Sequence, residues 1–178
     1  MTGGGGDDAA ATPALRIRDA RSTTDAGAIA AIYAPCVRDT VITFEEIPPD
    51  AAEMARRVAA VQQLGLPWLV AARSATVEGY AYATRWKERS AYRFTVETTV
   101  YVAPHAHRRG TGSTLYAQLL SRLAGLGLHT ALGGIALPNP ASVALHERHG
   151  FVHVGTLREV GFKLGRWIDV GYWERRLP

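Results

Sequence analysis

The residues whose types and spacing most clearly suggest chemistry form one loop near the middle of the chain. His107-Arg108-Arg109 precedes two closely spaced glycines, Gly110 and Gly112, and a helical pattern begins there. Exposed N–H groups at a helix N-terminus bind anions, glycines let a phosphate approach the backbone, and arginines add positive charge. The pattern predicts a phosphate or pyrophosphate site, although an ordinary strand-to-helix turn with two surface arginines would look the same in sequence. The spacing matches neither the dinucleotide-binding G-x-G-x-x-G pattern nor the Gly-Lys-Ser/Thr of a P-loop.

A carboxylate, Glu97, stands near the start of the β-rich stretch 95–103 that ends at this loop. Partial desolvation there would raise its pKa and make it a base that takes a proton from a substrate amine. The alternative is a strand-edge carboxylate that is paired with Arg89 or Arg93. The residues by themselves favour this second interpretation.

Two polar side chains four residues apart, Ser142 and His146, lie on one face of a predicted short helix. A histidine can donate or accept a proton near neutral pH, so His146 is a candidate to assist a proton transfer. A histidine on a helix surface without a chemical role is the alternative. Asn139 is followed by Pro140, a typical helix start, and a role as N-cap is enough to explain it.

Positive charge at Lys87 and Arg89 could hold an anionic substrate, because a guanidinium matches a carboxylate or phosphinate in a two-pronged geometry. Solvated loop charges explain the two residues equally well. Tyr92, Phe44 and Trp86 could form the walls of such a pocket, although aromatic residues near strands more often belong to the core.

The elements that must position these residues follow from the periodicity of the apolar side chains. Strands are predicted at 15–18, 68–72, 80–86, 95–103, 130–137, 151–157 and 167–174, with a turn at 77–79. Helices are predicted along the apolar stripe Ile29, Ile32, Tyr33, Cys36 and Val37 (with Thr24 or Asp25 as its cap), at 51–64, at 110–125 and between Pro138 and Gly150. This mixed order predicts one α/β domain with a mixed sheet at residues 14–178. The Gly-rich residues 1–13 are expected to form a disordered tail.

Composition argues against several classes of function. The net charge is +4 with scattered basic residues, which argues against nucleic-acid binding, and no apolar run is long enough to span a membrane. The single cysteine, Cys36, lies on the apolar stripe and is expected to be a buried thiol and not a nucleophile. Without a Cys/His cluster of metal-site spacing or a signal-peptide pattern, we expect a cytoplasmic protein that holds no metal.

The phosphate loop resembles the coenzyme A-binding segment of the GNAT acetyltransferase superfamily. That segment begins with Gln or Arg, then places Gly three residues later and Gly or Ala five residues later. Here Gly110 and Gly112 are in place, and His107 departs from the pattern. The departure is small, because backbone N–H groups make most of the pyrophosphate contacts in this superfamily. The resemblance implies the GNAT fold, a mixed and strongly twisted central sheet flanked by helices, with acetyl-CoA as co-substrate.

Several segments between residues 15 and 177 are similar to the phosphinothricin N-acetyltransferases of this superfamily. They include 86–92, 96–102, 112–116, 161–163 and parts of 137–147. The resemblance implies that Glu97 is the catalytic carboxylate, and that Arg89, Ser142 and His146 surround the reacting centre. It also implies a cofactor site made by Val100, Tyr101, Val102, Arg108, Arg109, Gly110, Thr111, Gly112, Ser113 and Asn139. Together with the residue patterns, it gives a substrate site of Arg89, Lys87, Tyr92, Phe44 and Ser142, with His146 assisting Glu97.

The expected reaction is transfer of an acetyl group from acetyl-CoA to the amino group of phosphinothricin or a closely related amino-acid analogue. The amine attacks the thioester directly, and a backbone N–H, that of Val102, polarises the thioester oxygen. The alternatives are methionine sulfoximine, methionine sulfone or another amino acid as substrate, a protein amine as substrate, or non-catalytic acyl-CoA binding. The resemblance further implies a homodimer and a role in herbicide resistance. It leaves the role of the loop 163–167 open.

Overall fold

A computed structural model of the protein describes residues 13–178, so the tail predicted at residues 1–13 lies outside them except for Pro13. The strands are β1 (Leu15–Asp19), β2 (Trp68–Arg73), β3 (Thr76–Arg85), β4 (Thr95–Val102), β5 (Thr130–Ala136), β6 (Val152–Lys163) and β7 (Arg166–Arg176). The helices are α1 (Ala26–Asp39), α2 (Ala51–Gln63), α3 (Thr111–Gly125) and α4 (Pro140–Arg148), with short 3-10 turns at Ser90–Tyr92 and Pro104–Ala106.

The strands form one sheet in the order β1-β2-β3-β4-β5-β7-β6. Within the described residues, β4 and β5 are the only parallel neighbours, and the other neighbouring pairs are antiparallel. This arrangement confirms the α/β class with a mixed sheet that the order of elements predicts. Among the helices of residues 13–178, none has the length and apolar character needed to cross a bilayer.

Helices pack on both faces of the sheet. Tyr33 of α1 packs edge-on against Tyr101 of β4, with ring centroids 4.9 Å apart. Tyr116 of α3 instead hydrogen-bonds Thr98 of the same strand at 2.7 Å. Residues three apart on a strand point to opposite faces, so α1 and α3 lie on opposite sides of the sheet. The apolar stripes of these helices are buried against it, notably at Ile29, Ile32, Val37, Leu115, Leu119 and Leu123.

The turn predicted at 77–79 is wrong. These residues lie inside β3, and the chain turns instead at Ser74 and Ala75, where Ser74 has a φ of 50°. Gly79, which suggested the turn, instead lets the backbones of β3 and β4 approach each other closely. A Cβ atom at Gly79 would lie 2.8 Å from the carbonyl oxygen of Tyr101.

Other element ends also differ from their prediction. Asp25 occupies the N-cap position of α1, but its side chain does not cap the helix. It accepts hydrogen bonds from the guanidinium of Arg18 at 2.6 and 2.8 Å instead. Strand β6 runs six residues beyond its predicted end, to Lys163, so residues 163–167 form the tight hairpin between β6 and β7.

Candidate active site

A gap opens in the sheet where β4 and β5 stop pairing. The two strands are paired only along 95–97 of β4, and further along β4 pairs with β3 alone. The N–H of Ala103 donates to the carbonyl of Glu78 on β3 at 2.8 Å. Because successive N–H groups of a strand point to opposite sides, the N–H groups of Val102 and Val100 point into the gap. They can therefore donate to a ligand that enters between the strands.

The predicted phosphate loop lies directly beside this gap. A ring nitrogen of His107, Nε2, donates to the carbonyl of Val102 at 2.9 Å. A Cβ atom at Gly112 would lie 3.3 Å from Cγ2 of Val102, so the glycine lets α3 pack closely on β4. Gly110, at the N-cap of α3, has a φ of 80°, a left-handed conformation that favours glycine, and it offers no side-chain cap. The first N–H groups of α3 are therefore left for an anion.

The side chains of the two cofactor segments have different surroundings. The ring of Tyr101 points away from α3 and packs against Tyr33 and Tyr80, and its carbonyl oxygen lies toward Gly79 of β3. Arg108, with a φ of 59°, is exposed. Ser113 hydrogen-bonds Nε2 of His149 through Oγ at 2.9 Å. The structure thus brings the segments 100–102 and 108–113 together, with backbone groups facing the gap and charge at its rim.

Glu97 lies at the end of the paired part of β4, on the face that α1 covers. A Cβ atom at Gly134 of β5 would lie 2.9 Å from Oε1 of Glu97, so the carboxylate rests over bare backbone. Burial raises the pKa of the Glu97 carboxyl, and the positive charge of Lys87 opposes the shift. Within the described part of the chain, Glu97 forms no ion pair, and neither Arg89 nor Arg93 neutralises it. A half-buried carboxylate without a cationic partner is well placed to accept a proton.

Two aromatic residues complete the surroundings of Glu97. Tyr172 of β7 is paired with Gly134, and a Cβ atom at Gly134 would lie 3.4 Å from its ring. Burial, together with the charge of Glu97, raises the pKa of the Tyr172 hydroxyl. The ring of Trp86 lies edge-on to that of Tyr172, with centroids 5.5 Å apart. Sequence patterns give no sign of Tyr172, because only the pairing of β5 with β7 brings it beside Glu97.

His146 lies on the opposite face of the sheet from Glu97. A Cβ atom at Gly133 would collide with the His146 ring, whereas Glu97 covers the next residue, Gly134. Successive strand residues face opposite sides of a sheet, so the structure does not bring the His146 and Glu97 side chains together. Tyr116 and Phe151 pack edge-on against the imidazole, with ring centroids 5.0 and 5.1 Å away.

The hydrogen bonds of His146 define its protonation. Nδ1 donates to the carbonyl of Ser142 at 2.8 Å, which places the proton on Nδ1. Burial lowers the pKa of the imidazole, which favours the neutral ring. Nε2 is buried and has no hydrogen-bond partner among residues 13–178. The neutral ring therefore has no proton on Nε2 to donate.

Asn139 acts as the N-cap of α4. Its Oδ1 accepts a hydrogen bond from the N–H of Ser142 at 3.1 Å, and Pro140 occupies the first helical position. The hydroxyl of Ser142 lies 3.4 Å from Nδ1 of His146. These contacts fix the start of α4 at the end of β5, on the face opposite Glu97.

The charged loop after β3 borders an open surface cavity of about 390 Å³ that is lined by the exposed residues Lys87, Glu88, Arg89 and Tyr92. The ammonium of Lys87 lies over the ring of Trp86, 4.8 Å from its centroid. The cavity is thus linked through Lys87 and Trp86 to the surroundings of Glu97. Its two cations outnumber its one carboxylate, which favours an anionic ligand.

Phe44, one of the three aromatic residues predicted as pocket walls, lies elsewhere in the described structure. Its ring covers Gly161 of β6, where a Cβ atom would collide with it, and it does not line the cavity. Nearby, Lys163 is buried, and its ammonium donates to the carbonyl of Thr43 at 2.8 Å. The end of β6 is in this way tied to the loop that carries Phe44.

Within residues 13–178, no group of three or more His, Cys, Asp or Glu side chains is arranged to hold a metal ion. The thiol of Cys36 is half-buried, and burial raises its pKa, which makes it a poor nucleophile.

The mixed sheet, the gap between β4 and β5 and the loop before α3 form the arrangement expected of an acyl-CoA-dependent transferase, and comparison with known proteins agrees. The acetyltransferase (GNAT) domain family matches residues 17–171, and the chain belongs to this family. A phosphinothricin acetyltransferase from Sinorhizobium meliloti, solved in complex with acetyl-CoA, superposes with a TM-score of 0.88 at 39% identity. The match covers 92% of this chain and 88% of that one. The predicted GNAT fold is confirmed.

Relatives of known activity are similar over most of their length. Phosphinothricin N-acetyltransferase from Alcaligenes faecalis is 48% identical over 154 residues, which is 86% of this chain and 78% of the relative. The L-methionine sulfoximine/L-methionine sulfone acetyltransferase of Salmonella typhimurium is 33% identical over 153 residues, 86% of this chain and 90% of the relative. These matches confirm the prediction of an acetyltransferase.

Proposed function

We propose that this chain transfers the acetyl group of acetyl-CoA to the amino group of phosphinothricin or a closely related small amino-acid analogue. The observation that carries the proposal is the position of Glu97. Among residues 13–178 it is a half-buried carboxylate without an ion partner, and it lies on the strand whose N–H groups face the gap and lead to the predicted phosphate loop. The 48% identity to a phosphinothricin N-acetyltransferase supports the choice of substrate.

Acetyl-CoA fits the groups that surround the gap. Its pyrophosphate would meet the N–H groups at the start of α3 and the charges of Arg108 and Arg109, and its acyl end would lie between β4 and β5. The N–H of Val102 would donate to the thioester oxygen, where negative charge develops during attack. Asn139 would border the cofactor through the strand end that it fixes.

Glu97 prepares the amine for attack. An ammonium group has no lone pair, so Glu97 takes its proton, directly or through a water, before or during attack on the carbonyl carbon. The new C–N bond forms, the C–S bond breaks, and coenzyme A leaves as a thiolate. A thiol pKa near 8.5 makes the demand for an acid modest at neutral pH. Much of the rate would come from holding the amine against the thioester, and no covalent enzyme intermediate is required.

His146 has a supporting role in this mechanism. A neutral imidazole that covers Gly133 from the opposite face keeps β5 in place beneath the site. Ser142, which holds the imidazole, acts with it. Tyr172 lies on the side of Glu97 and can donate a hydrogen bond there. We therefore assign His146 to positioning, and Glu97 and Tyr172 to the reacting side.

The cavity of Lys87, Arg89 and Tyr92 would bind the anionic end of the substrate. A guanidinium pairs with a carboxylate or phosphinate through two parallel hydrogen bonds, and Arg89 is exposed and free of ion pairs within the described residues. Phe44 would contribute only by shaping the neighbouring loop.

A panel of amines with acetyl-CoA, followed by release of free thiol, tests this function. We expect phosphinothricin to give the highest kcat/KM and methionine sulfoximine the second highest, with a short peptide amine undetectable. A higher kcat/KM with methionine sulfoximine would keep the mechanism and change only the substrate. The similarity to the methionine sulfoximine acetyltransferase of Salmonella typhimurium is the reason for including this amine. A lead by the peptide would reject the small-molecule function.

We also propose a homodimer that forms through the hairpin of β6 and β7. Strand β6 is an edge strand of twelve residues, and an edge strand with apolar side chains can pair with another chain. Large apolar side chains on this hairpin are about half exposed or more: Val152, Val154, Leu157, Val160, Phe162, Leu164 and Trp167. A second copy of the chain would bury them in a symmetric contact.

Substitution Leu157→Asp is expected to convert the dimer to a monomer, because it places a charge in the apolar contact. Light scattering after gel filtration should give about twice the chain mass of 19.2 kDa for the unmodified protein and the single mass for the variant. Leu126→Asp, at a similarly exposed leucine after α3, is the matched control and should remain dimeric. A monomeric unmodified protein would reject the dimer.

A further inference from the structure

A buried carboxylate lies beneath the phosphate loop and has no part in the acetyl transfer. Glu78 of β3 is 4% exposed. Its oxygens lie 3.2 Å from Nε of Arg73 and accept a hydrogen bond from the hydroxyl of Thr111, the first residue of α3, at 3.3 Å. An Nη atom of Arg109 lies 3.9 Å from Oε1. The carboxylate therefore touches the loop that would bind the cofactor phosphates.

A negative charge at this point opposes the binding of an anion. The two arginines that balance it are not equivalent. The Arg73 side chain is 20% exposed and also donates to the carbonyl of Pro13 at 2.8 Å, which holds it in place. The Arg109 side chain is 44% exposed and at the longer distance from Glu78. Arg109 can thus turn toward a phosphate, whereas Arg73 stays with the carboxylate.

We infer that Glu78 sets the affinity for acetyl-CoA by competing with the cofactor phosphates for Arg109. The inference rests on the proposed cofactor site. A guanidinium keeps its charge at all relevant pH values, so its partner, and not its protonation, changes between the free and bound states. Because Thr111 anchors Glu78 to the start of α3, the carboxylate cannot withdraw when the cofactor binds. Glu78 is in this sense a positioning residue that limits affinity and favours release of the coenzyme A product.

The substitution Glu78→Gln tests this inference, since the amide keeps the size and an acceptor for Thr111 but loses the charge. Calorimetry with acetyl-CoA should show binding about fivefold tighter than in the unmodified protein, which corresponds to about 1 kcal/mol. The same substitution in an Arg109→Ala background should change the dissociation constant by less than about twofold. A purely structural role for Glu78 predicts weaker binding, because the loop would lose its anchor.

Unchanged or weaker binding by folded Glu78→Gln would overturn the inference, and so would equal tightening in both backgrounds. Glu78→Gln leaves Arg73 without its carboxylate and could unfold the variant for that reason. In that case the dissociation constant for acetyl-CoA is compared between the double variant Arg73→Gln/Glu78→Gln and the single variant Arg73→Gln. The fivefold tightening should persist. Absence of acetyl-CoA binding by the unmodified protein would instead reject the proposed function, so the two failures are distinguishable.

Discussion

Replacing Glu97 by Gln is expected to lower kcat at neutral pH by about two orders of magnitude, because the amide keeps the shape and removes the base. Part of the lost activity should return at high pH, where the substrate amine loses its proton unaided. In the unmodified protein, burial raises the pKa of Glu97, and the base works only when it is deprotonated. Activity should therefore fall as the pH drops through this raised pKa.

The matched control is Glu174→Gln, which changes another half-buried carboxylate of the same sheet. Its kcat should stay within about twofold of the unmodified value, because Glu174 lies on β7 and strand β5 separates it from Glu97. A pH profile of kcat for both variants completes the measurement. A Glu97→Gln enzyme with an unaltered kcat and pH profile would remove Glu97 from the mechanism.

Replacing Arg89 by Ala is expected to lower kcat/KM for phosphinothricin by about 30- to 100-fold, because a charge-assisted contact to the anionic group is lost. If the contact is equally strong in the ground and transition states, the loss should appear in KM. A neutral amine that lacks the anionic group should be acetylated by both enzymes at a similar rate. Steady-state kinetics with both amines give the comparison.

Arg93→Ala is the control for this variant. Arg93 belongs to the same short loop, but its guanidinium lies over the ring of Phe94, 4.5 Å from the centroid, and it does not line the cavity. Its removal should cost less than about threefold. Equal losses in the two variants, or an equal loss with the neutral amine, would assign Arg89 a general electrostatic role instead of substrate binding.

The sheet and the loop that joins β4 to α3 could be predicted because their signals are local. Apolar patterns mark the strands, and two closely spaced glycines before a helical pattern mark the loop. The left-handed conformation of Gly110 and the close packing at Gly112 are seen only in the structure. The turn predicted at 77–79 failed because a glycine in a strand can serve a neighbouring backbone as well as a turn.

The face of the sheet on which a side chain lies could not be predicted from the sequence. Helical spacing shows that Ser142 and His146 share a helix face, but it does not show which face of the sheet that helix covers. Here Gly133 and Gly134 let His146 and Glu97 approach β5 from opposite faces. Tyr172 reaches Glu97 only through the pairing of β5 with β7, which joins segments about forty residues apart. Such placements depend on tertiary packing, and local patterns do not contain them.

The most direct test of the central claim is a competition between two amines in one reaction. Phosphinothricin and a short peptide with a free amino terminus, at equal concentration, are mixed with limiting acetyl-CoA and the enzyme. Mass spectrometry of the products then gives the ratio of the two kcat/KM values, independent of enzyme concentration. We expect N-acetylphosphinothricin in at least 100-fold excess, since the substrate site proposed at Lys87 and Arg89 would select a small anionic amine. Acetylated peptide in equal or greater amount would contradict the proposed function.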